Sequence, residues 1–268
     1  MIACATSAWR FTTPRLQNPS TQKCILMSGS QPTPKKAVKL PVMIENTAIP
    51  NEVPVMTLGG AVLFPQAMMP LFIFEPRYKE MLSDVLNNDR VFAVATLDER
   101  SEDAPESETP YSIAAIGVVR ACKKNPDGSS NLVLQGLARV ELEAIVSEEP
   151  YRTARIRQIL SELGGPEDQI TTLKSRLLSL IQTQRRLGAD IPKEVLQFLG
   201  NISEPENALD LAIYTLCSSP TLKQELLETR GVVPRYEKFA NFLQSEIERL
   251  KLDIQLRGDL DDKNIGYN

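Results

Sequence analysis

LFPQAMMPLFIFEPRY, residues Leu63 to Tyr78, sets a dense apolar run directly against a proline-marked helix start. Met68 to Phe74 is almost continuously apolar, and its short length and the proline at Pro70 suit a strand buried on both faces better than a helix. Glu75 and Pro76 read as the beginning of a helix, because proline at the first helical position gives up an N–H that has no partner inside the helix anyway. The spacing predicts a helix from Pro76 to about Asn88.

Working outward, residues 50–160 have the pattern of a β-rich domain. Strands are expected at Val53–Leu58, Met69–Phe74, Val91–Leu97, Ile113–Lys123, Asn131–Val146 and Tyr151–Gln158. Asn125 to Ser129 supplies proline, aspartate and glycine in turn order, which joins two long strands as a hairpin. Gly117 and Gly136 fall inside those strands, where glycine marks a bulge or a strong bend. A small, partly closed β-barrel accounts for these features.

After Gly164-Gly165-Pro166 the period becomes helical, with Ile170, Leu173, Leu177, Leu180, Ile181 and Leu187 on one face of Pro166–Leu187. Shorter helices are expected at Pro192–Leu199, Pro205–Cys217 and Pro220–Thr229, each opened by a proline. Tyr236, Phe239, Leu243, Ile247, Leu250 and Ile254 then recur at steps of three and four, a narrow seam on one long final helix. Its first reading is contact with a helical bundle; self-association is the other. The fold class is therefore α+β, with the barrel followed by a helical subdomain over 165–257 and a disordered tail over 258–268.

Composition narrows the function. The 268 residues contain no histidine, which removes triads and zinc sites built on that side chain. No spacing points to a carboxylate pair or a lysine-activated serine. No GxxxxGK[ST] phosphate loop occurs, and Cys4, Cys24, Cys122 and Cys217 are scattered rather than paired, so neither a metal nor another cofactor is expected and the cysteines are read as reduced thiols. No apolar stretch approaches the ~18 residues of a membrane span.

Residues 1–44 carry six basic residues and no acidic one, leaving 24 basic against 34 acidic in the rest, a net charge of minus ten. Such a body repels phosphate backbones unless its cations segregate into one patch. The basic leader is expected to be disordered. Two readings stand for it: an organelle transit peptide, leading to a stroma or matrix, or a start mis-assigned ahead of Met27, in a cytoplasmic protein; the second is preferred. Asp98 to Pro110, DERSEDAPESETP, is read as a solvated, mobile loop inserted between strands, with an acidic lure for basic clients as the other reading.

A family resemblance rests on several pieces in order: LFP at Leu63, PLFIFEPRY at Pro70, RVFAVAT at Arg90, IGVVR at Ile116, the Asn125-Pro126-Asp127-Gly128 turn, LQGLARV at Leu134 and LKQELLETR at Leu222. Together they resemble the N-terminal, substrate-binding domain of Lon proteases over about residues 53–256. The resemblance implies a PUA-like barrel followed by a helical bundle, and a role in recognition rather than catalysis. The ATPase and serine-lysine protease domains of a full Lon enzyme have no counterpart here, so a stand-alone, non-catalytic module is expected. Its partners would be unfolded or apolar protein segments, captured in a groove between barrel and bundle, and an ATP-dependent protease. The alternative reading is an RNA-binding PUA-like barrel, against which the acidic body counts.

Candidate client-contacting residues are Phe64, Met68, Met69, Phe72, Glu75, Arg77 and Tyr78. Each has a plain alternative. Phe64, Phe72 and Phe74 are core residues first, and the two methionines fill gaps before they serve an adaptable surface. Glu75 belongs with the helix dipole before it forms a recognition pair with Arg77, and Tyr78 is a cleft-edge ring or a satisfied buried phenol. Arg120 and Arg139, on facing strands, are expected to pair with carboxylates on the solvent side.

Overall fold

The computed structural model describes residues 49–98 and 108–259. The basic leader, the interior of the acidic loop (99–107) and the tail beyond 259 lie outside the described residues. The chain runs β1 (Glu52–Leu58), β2 (Met68–Ile73), α1 (Pro76–Asn87), β3 (Val91–Thr96), β4 (Ile113–Lys124), β5 (Ser130–Ser147) and β6 (Thr153–Ile159). It continues through α2 (Glu167–Arg186), α3 (Lys193–Asn201), α4 (Pro205–Leu216), α5 (Pro220–Glu228) and α6 (Val232–Asp259). The fold is α+β.

The six strands form one mixed sheet in the order β2-β5-β4-β3-β1-β6. Only β1 and β3 are parallel. The 18-residue β5 organises the whole. One of its edges pairs with β4; the other is shared, with Ser130–Gln135 bonded to β2 and Arg139–Ser147 bonded to β6. The ladder to β6 curls the sheet back on itself into a partly closed barrel, with β2 left on an edge.

Curling needs a bend, and the two expected glycines supply it. Gly117 pairs with Gly136 where the β4–β5 register shifts. A Cβ on Gly136 would stand 2.0 Å from the Phe64 carbonyl oxygen, so only glycine admits that approach. The gap it leaves lets Gln66 donate to the Gly136 carbonyl at 2.9 Å and Gly136 donate to Ala67 at 2.9 Å, which carries the chain into β2.

All six residues of β3 are buried, as its unbroken apolar run requires of a central strand. β2 differs from the expectation. It is not buried on both faces but alternates, with Met69 and Ile73 in the core and Met68, Pro70 and Phe72 exposed. The outer face of β2 is left uncovered, which is the physical reason, and Pro70 is tolerated because this edge strand has an N–H side that needs no ladder partner.

One apolar core joins sheet and helices. Tyr78, Met81, Leu82 and Val85 of α1 pack with Met56, Phe92 and Leu134 of the sheet, and the same cluster continues through Leu177, Ile181, Leu209, Ile213, Tyr236, Phe239 and Leu243. Pro76, Pro205 and Pro220 open their helices at the first turn, and Ser219 caps α5 by accepting from the Leu222 N–H at 3.2 Å. On α6 the seam is buried from Tyr236 to Ile247; past it, Leu252, Ile254 and Leu256 are exposed.

Candidate functional site

β2 presents its outer face as an apolar ridge. Met68, Phe72 and Phe74 are 49%, 47% and 42% exposed, and the two phenyl rings stack with centroids 5.8 Å apart. Strand alternation puts these side chains on one side, and the ladder to β5 holds them there. The backbone phase follows from Gly136 donating to the Ala67 carbonyl. Residues 67, 69, 71 and 73 turn their polar groups to β5, so those of Met68, Pro70 and Phe72 turn outward. In agreement, the outward carbonyl of Met68 accepts from the Tyr214 hydroxyl of α4 at 3.3 Å.

The ridge extends across the sheet in three rows: Met68, Gln135 and Val118; Pro70, Val133 and Ala121; Phe72, Asn131 and Lys123. Arg120 stands in the irregularity between Val119 and Ala121 and donates to Gln135 Oε1 at 2.6 Å. Its expected carboxylate partner is therefore replaced by an amide, because no acidic residue occurs in β2 or in the facing parts of β4 and β5.

At the end of the ridge the chain enters α1. Arg77 donates to both oxygens of Glu108 at 2.7 and 2.9 Å and to Glu75 at 3.0 Å, and its guanidinium lies 4.6 Å from the Tyr78 ring centroid. The Arg77 hydrogen bond holds the Glu108 carboxyl below the usual carboxylate range. Tyr78 is buried, its hydroxyl donates to the Thr57 carbonyl at 3.3 Å, and burial pushes its pKa up. Glu75 carries no side-chain cap to α1 and serves Arg77 instead.

The candidate residues thus divide. Met68 and Phe72 share the exposed ridge; Phe64, Met69 and Tyr78 lie on the opposite, core side; Glu75 and Arg77 form a paired border. The core reading holds for Phe64 and fails for Phe72 and for Phe74, which joins the ridge. Arg120 and Lys123 also border it unannounced. The alternation Met68, Pro70, Phe72, Phe74, with proline in the same phase, was the signal for an exposed edge face.

A second polar centre is buried. Arg139 of β5 is not on the solvent side but 3% exposed, donating to both Asp210 oxygens at 2.6 and 2.8 Å and to the Leu227 carbonyl at 3.2 Å. Arg235 of α6 donates to Asp210 at 2.8 Å and to Glu206 and Ser161 at 3.0 Å each. Two guanidiniums meet two carboxylates, so the cluster is neutral and fastens α4 and α6 to the sheet. Helix docking over β5 is what buries Arg139.

A shallow depression lined by Asn51, Glu52, Glu143, Arg155, Ile156 and Arg157 offers no comparable surface, since Arg155 is paired with Glu52 and Arg157 with Glu143 and Glu141. Among the described residues no group of three acidic or cysteine side chains is placed to hold a metal.

A curled sheet with one apolar edge face open to solvent, braced by helices through a neutral buried ion cluster, makes this a small α+β domain with an exposed apolar ridge on β2. The chain belongs to the family of the ATP-dependent protease La (LON) substrate-binding domain, which matches residues 52–245. It is 30% identical over 220 residues to the Lon protease of Desulfosudis oleivorans, covering 80% of this chain and 27% of that one. The Lon protease of Dictyoglomus thermophilum is 26% identical over 212 residues, 79% of this chain and 26% of that one. The chain spans about a quarter of the length of these relatives. In fold it resembles the N-terminal domain of Mycobacterium avium complex Lon protease, with a TM-score of 0.57 at 18% identity over 72% of this chain and 98% of that one. The Lon N-terminal domain protein of Xanthomonas campestris gives a TM-score of 0.52 at 16% identity, covering 70% and 96%.

Proposed function

We propose that the chain is a recognition module that captures unfolded or apolar segments of other proteins on the outer face of β2, for quality control or delivery to an ATP-dependent protease. The observation that carries this reading is the exposed, stacked Phe72–Phe74 pair in line with Met68. Aromatic and methionine side chains held in solvent gain by covering one another's neighbours with a partner, at about 25 cal/mol per Å2 of apolar area removed from water. Ordering an unfolded client offsets much of that gain, so binding is weak and tolerant of sequence. Methionine adds tolerance, since its thioether adapts to varied partners. The outward N–H and carbonyl of Phe72 would let an extended client add main-chain hydrogen bonds at the β2 edge.

The test is titration calorimetry of a reduced, alkylated and therefore permanently unfolded protein into the wild type and into the Phe72→Ser, Phe74→Ser double variant. Loss of about tenfold or more in affinity is expected, the size of a removed aromatic anchor. Equal affinity of the two proteins would remove the reading.

A further inference from the structure

Beside the apolar ridge stands a cationic flank without an anionic partner among the described residues. Arg120 and Lys123 are both exposed, and among the described residues neither has an ion pair; Arg120 donates to the neutral amide oxygen of Gln135. Lys123 lies in the same cross-strand row as Asn131 and Phe72. Two strand spacings, about 10 Å, therefore separate its Cα from that of Phe72, within reach of neighbouring side chains of one bound segment. The acidic residues that follow β2 and sit in the β4–β5 turn are occupied: Glu75 accepts from Arg77, and Asp127 accepts from the N–H and hydroxyl of Ser129. In a body whose acidic residues exceed its basic ones by ten, a ridge rimmed by two cations with no ion pair among the described residues is a local reversal of sign.

Resting on the reading above, we infer that the outer face of β2, β5 and β4 takes a particular class of client segment: an extended apolar stretch with acidic residues beside it. Phe72, Phe74 and Met68 take the apolar part, and Arg120 and Lys123 take the carboxylates. The arrangement sorts among exposed apolar segments by their flanks, admitting acidic ones and turning away basic ones, because opposite charges across an interface favour binding and like charges oppose it. Aromatic rings beside cations also fit a single-stranded nucleic acid, but Met68, Pro70 and Val133 have no π-face to stack a base, and the surrounding charge repels a phosphate chain.

Three synthetic peptides separate these outcomes. Each carries the same Phe-Val-Leu-Phe core, flanked on both ends by Asp-Asp, Ser-Ser or Lys-Lys, and each is titrated by fluorescence anisotropy into the full chain at low and high salt. The expected order is Asp-flanked above Ser-flanked above Lys-flanked, with about a three- to tenfold step between the first two at low salt that shrinks at high salt. The Arg120→Gln, Lys123→Gln variant, checked for an unchanged melting temperature, should bring the Asp-flanked peptide down to the affinity of the Ser-flanked one. Equal binding of the three peptides, or Lys-flanked binding strongest, overturns the inference and leaves the apolar reading standing. Failure of all three to bind removes both. Salt-sensitive binding of oligouridylate that displaces the peptides would overturn it in favour of nucleic acid.

Discussion

On the outer face of β2, Met68, Phe72 and Phe74 stand in solvent, while the seam between β5, α4 and α6 encloses Arg139, Asp210 and Arg235, none more than 3% exposed. The ordinary placement of apolar and charged groups is reversed at both places, with opposite consequences for the chain. A buried charge cluster is costly to break, since removing one member strands the others away from water. An exposed aromatic contributes little to folding and is available for contact. Stability and the proposed client contact are thereby carried by separate residues, joined by β5, which carries Gln135 in one row with Met68 on the outer face and Arg139 in the seam.

That separation can be attacked from the seam first. Asp210→Ala leaves two buried guanidiniums sharing the half-exposed Glu206, and should cost about 3–5 kcal/mol in urea-induced unfolding. A loss under 1 kcal/mol would show that the cluster does not hold the helices to the sheet. Gly136→Ala strikes the strand between the two regions. Its methyl would meet the Phe64 carbonyl at 2.0 Å, a backbone atom that cannot step aside alone. A loss of about 1–3 kcal/mol is expected, together with weakened client binding because β2 is hung from that crossing.

A smaller effect comes from acid. Burial pushes the Glu206 carboxyl up, but the Ser161 hydrogen bond and the charges of Arg235 and Arg139 more than offset it, leaving the pKa below its usual 4.5. A carboxylate with a depressed folded-state pKa contributes stability above its unfolded value and loses it as pH falls through the folded one. Melting temperatures taken from pH 6 down to pH 3 should therefore fall more steeply for the wild type than for Glu206→Gln; parallel curves would contradict the shift. Smallest is the effect of Phe72→Ser, Phe74→Ser on folding, within about 0.5 kcal/mol, although the same change should abolish most binding. A large loss of stability there would mean that the rings are part of the core after all.

Local chemistry made most elements legible in advance. Pro76, Pro205 and Pro220 mark helix starts through a fixed φ and a missing donor, and the Gly117 and Gly136 positions announce a bent hairpin. What stayed hidden depends on partners far along the chain. Arg139 reads as a surface residue because its carboxylate is Asp210, 71 residues later. Phe72 and Phe74 read as core because hydrophobicity does not tell which sheet face a helix will cover. Only Pro70 speaks to that, by barring β2 from the middle of a sheet. Of the candidate residues, Met68 and Phe72 reach the exposed ridge, and Phe64, Met69 and Tyr78 support it from beneath.

The ladder between β1 and β6 sets an order of events during synthesis. Glu52 lies opposite Arg155, 103 positions away. β1 can be flanked by β3 early, yet its second edge stays open while the intervening chain is still being translated. Until β6 emerges from the ribosome, the nascent polypeptide offers the same kind of exposed, unpaired segment that a quality-control module would be made to find.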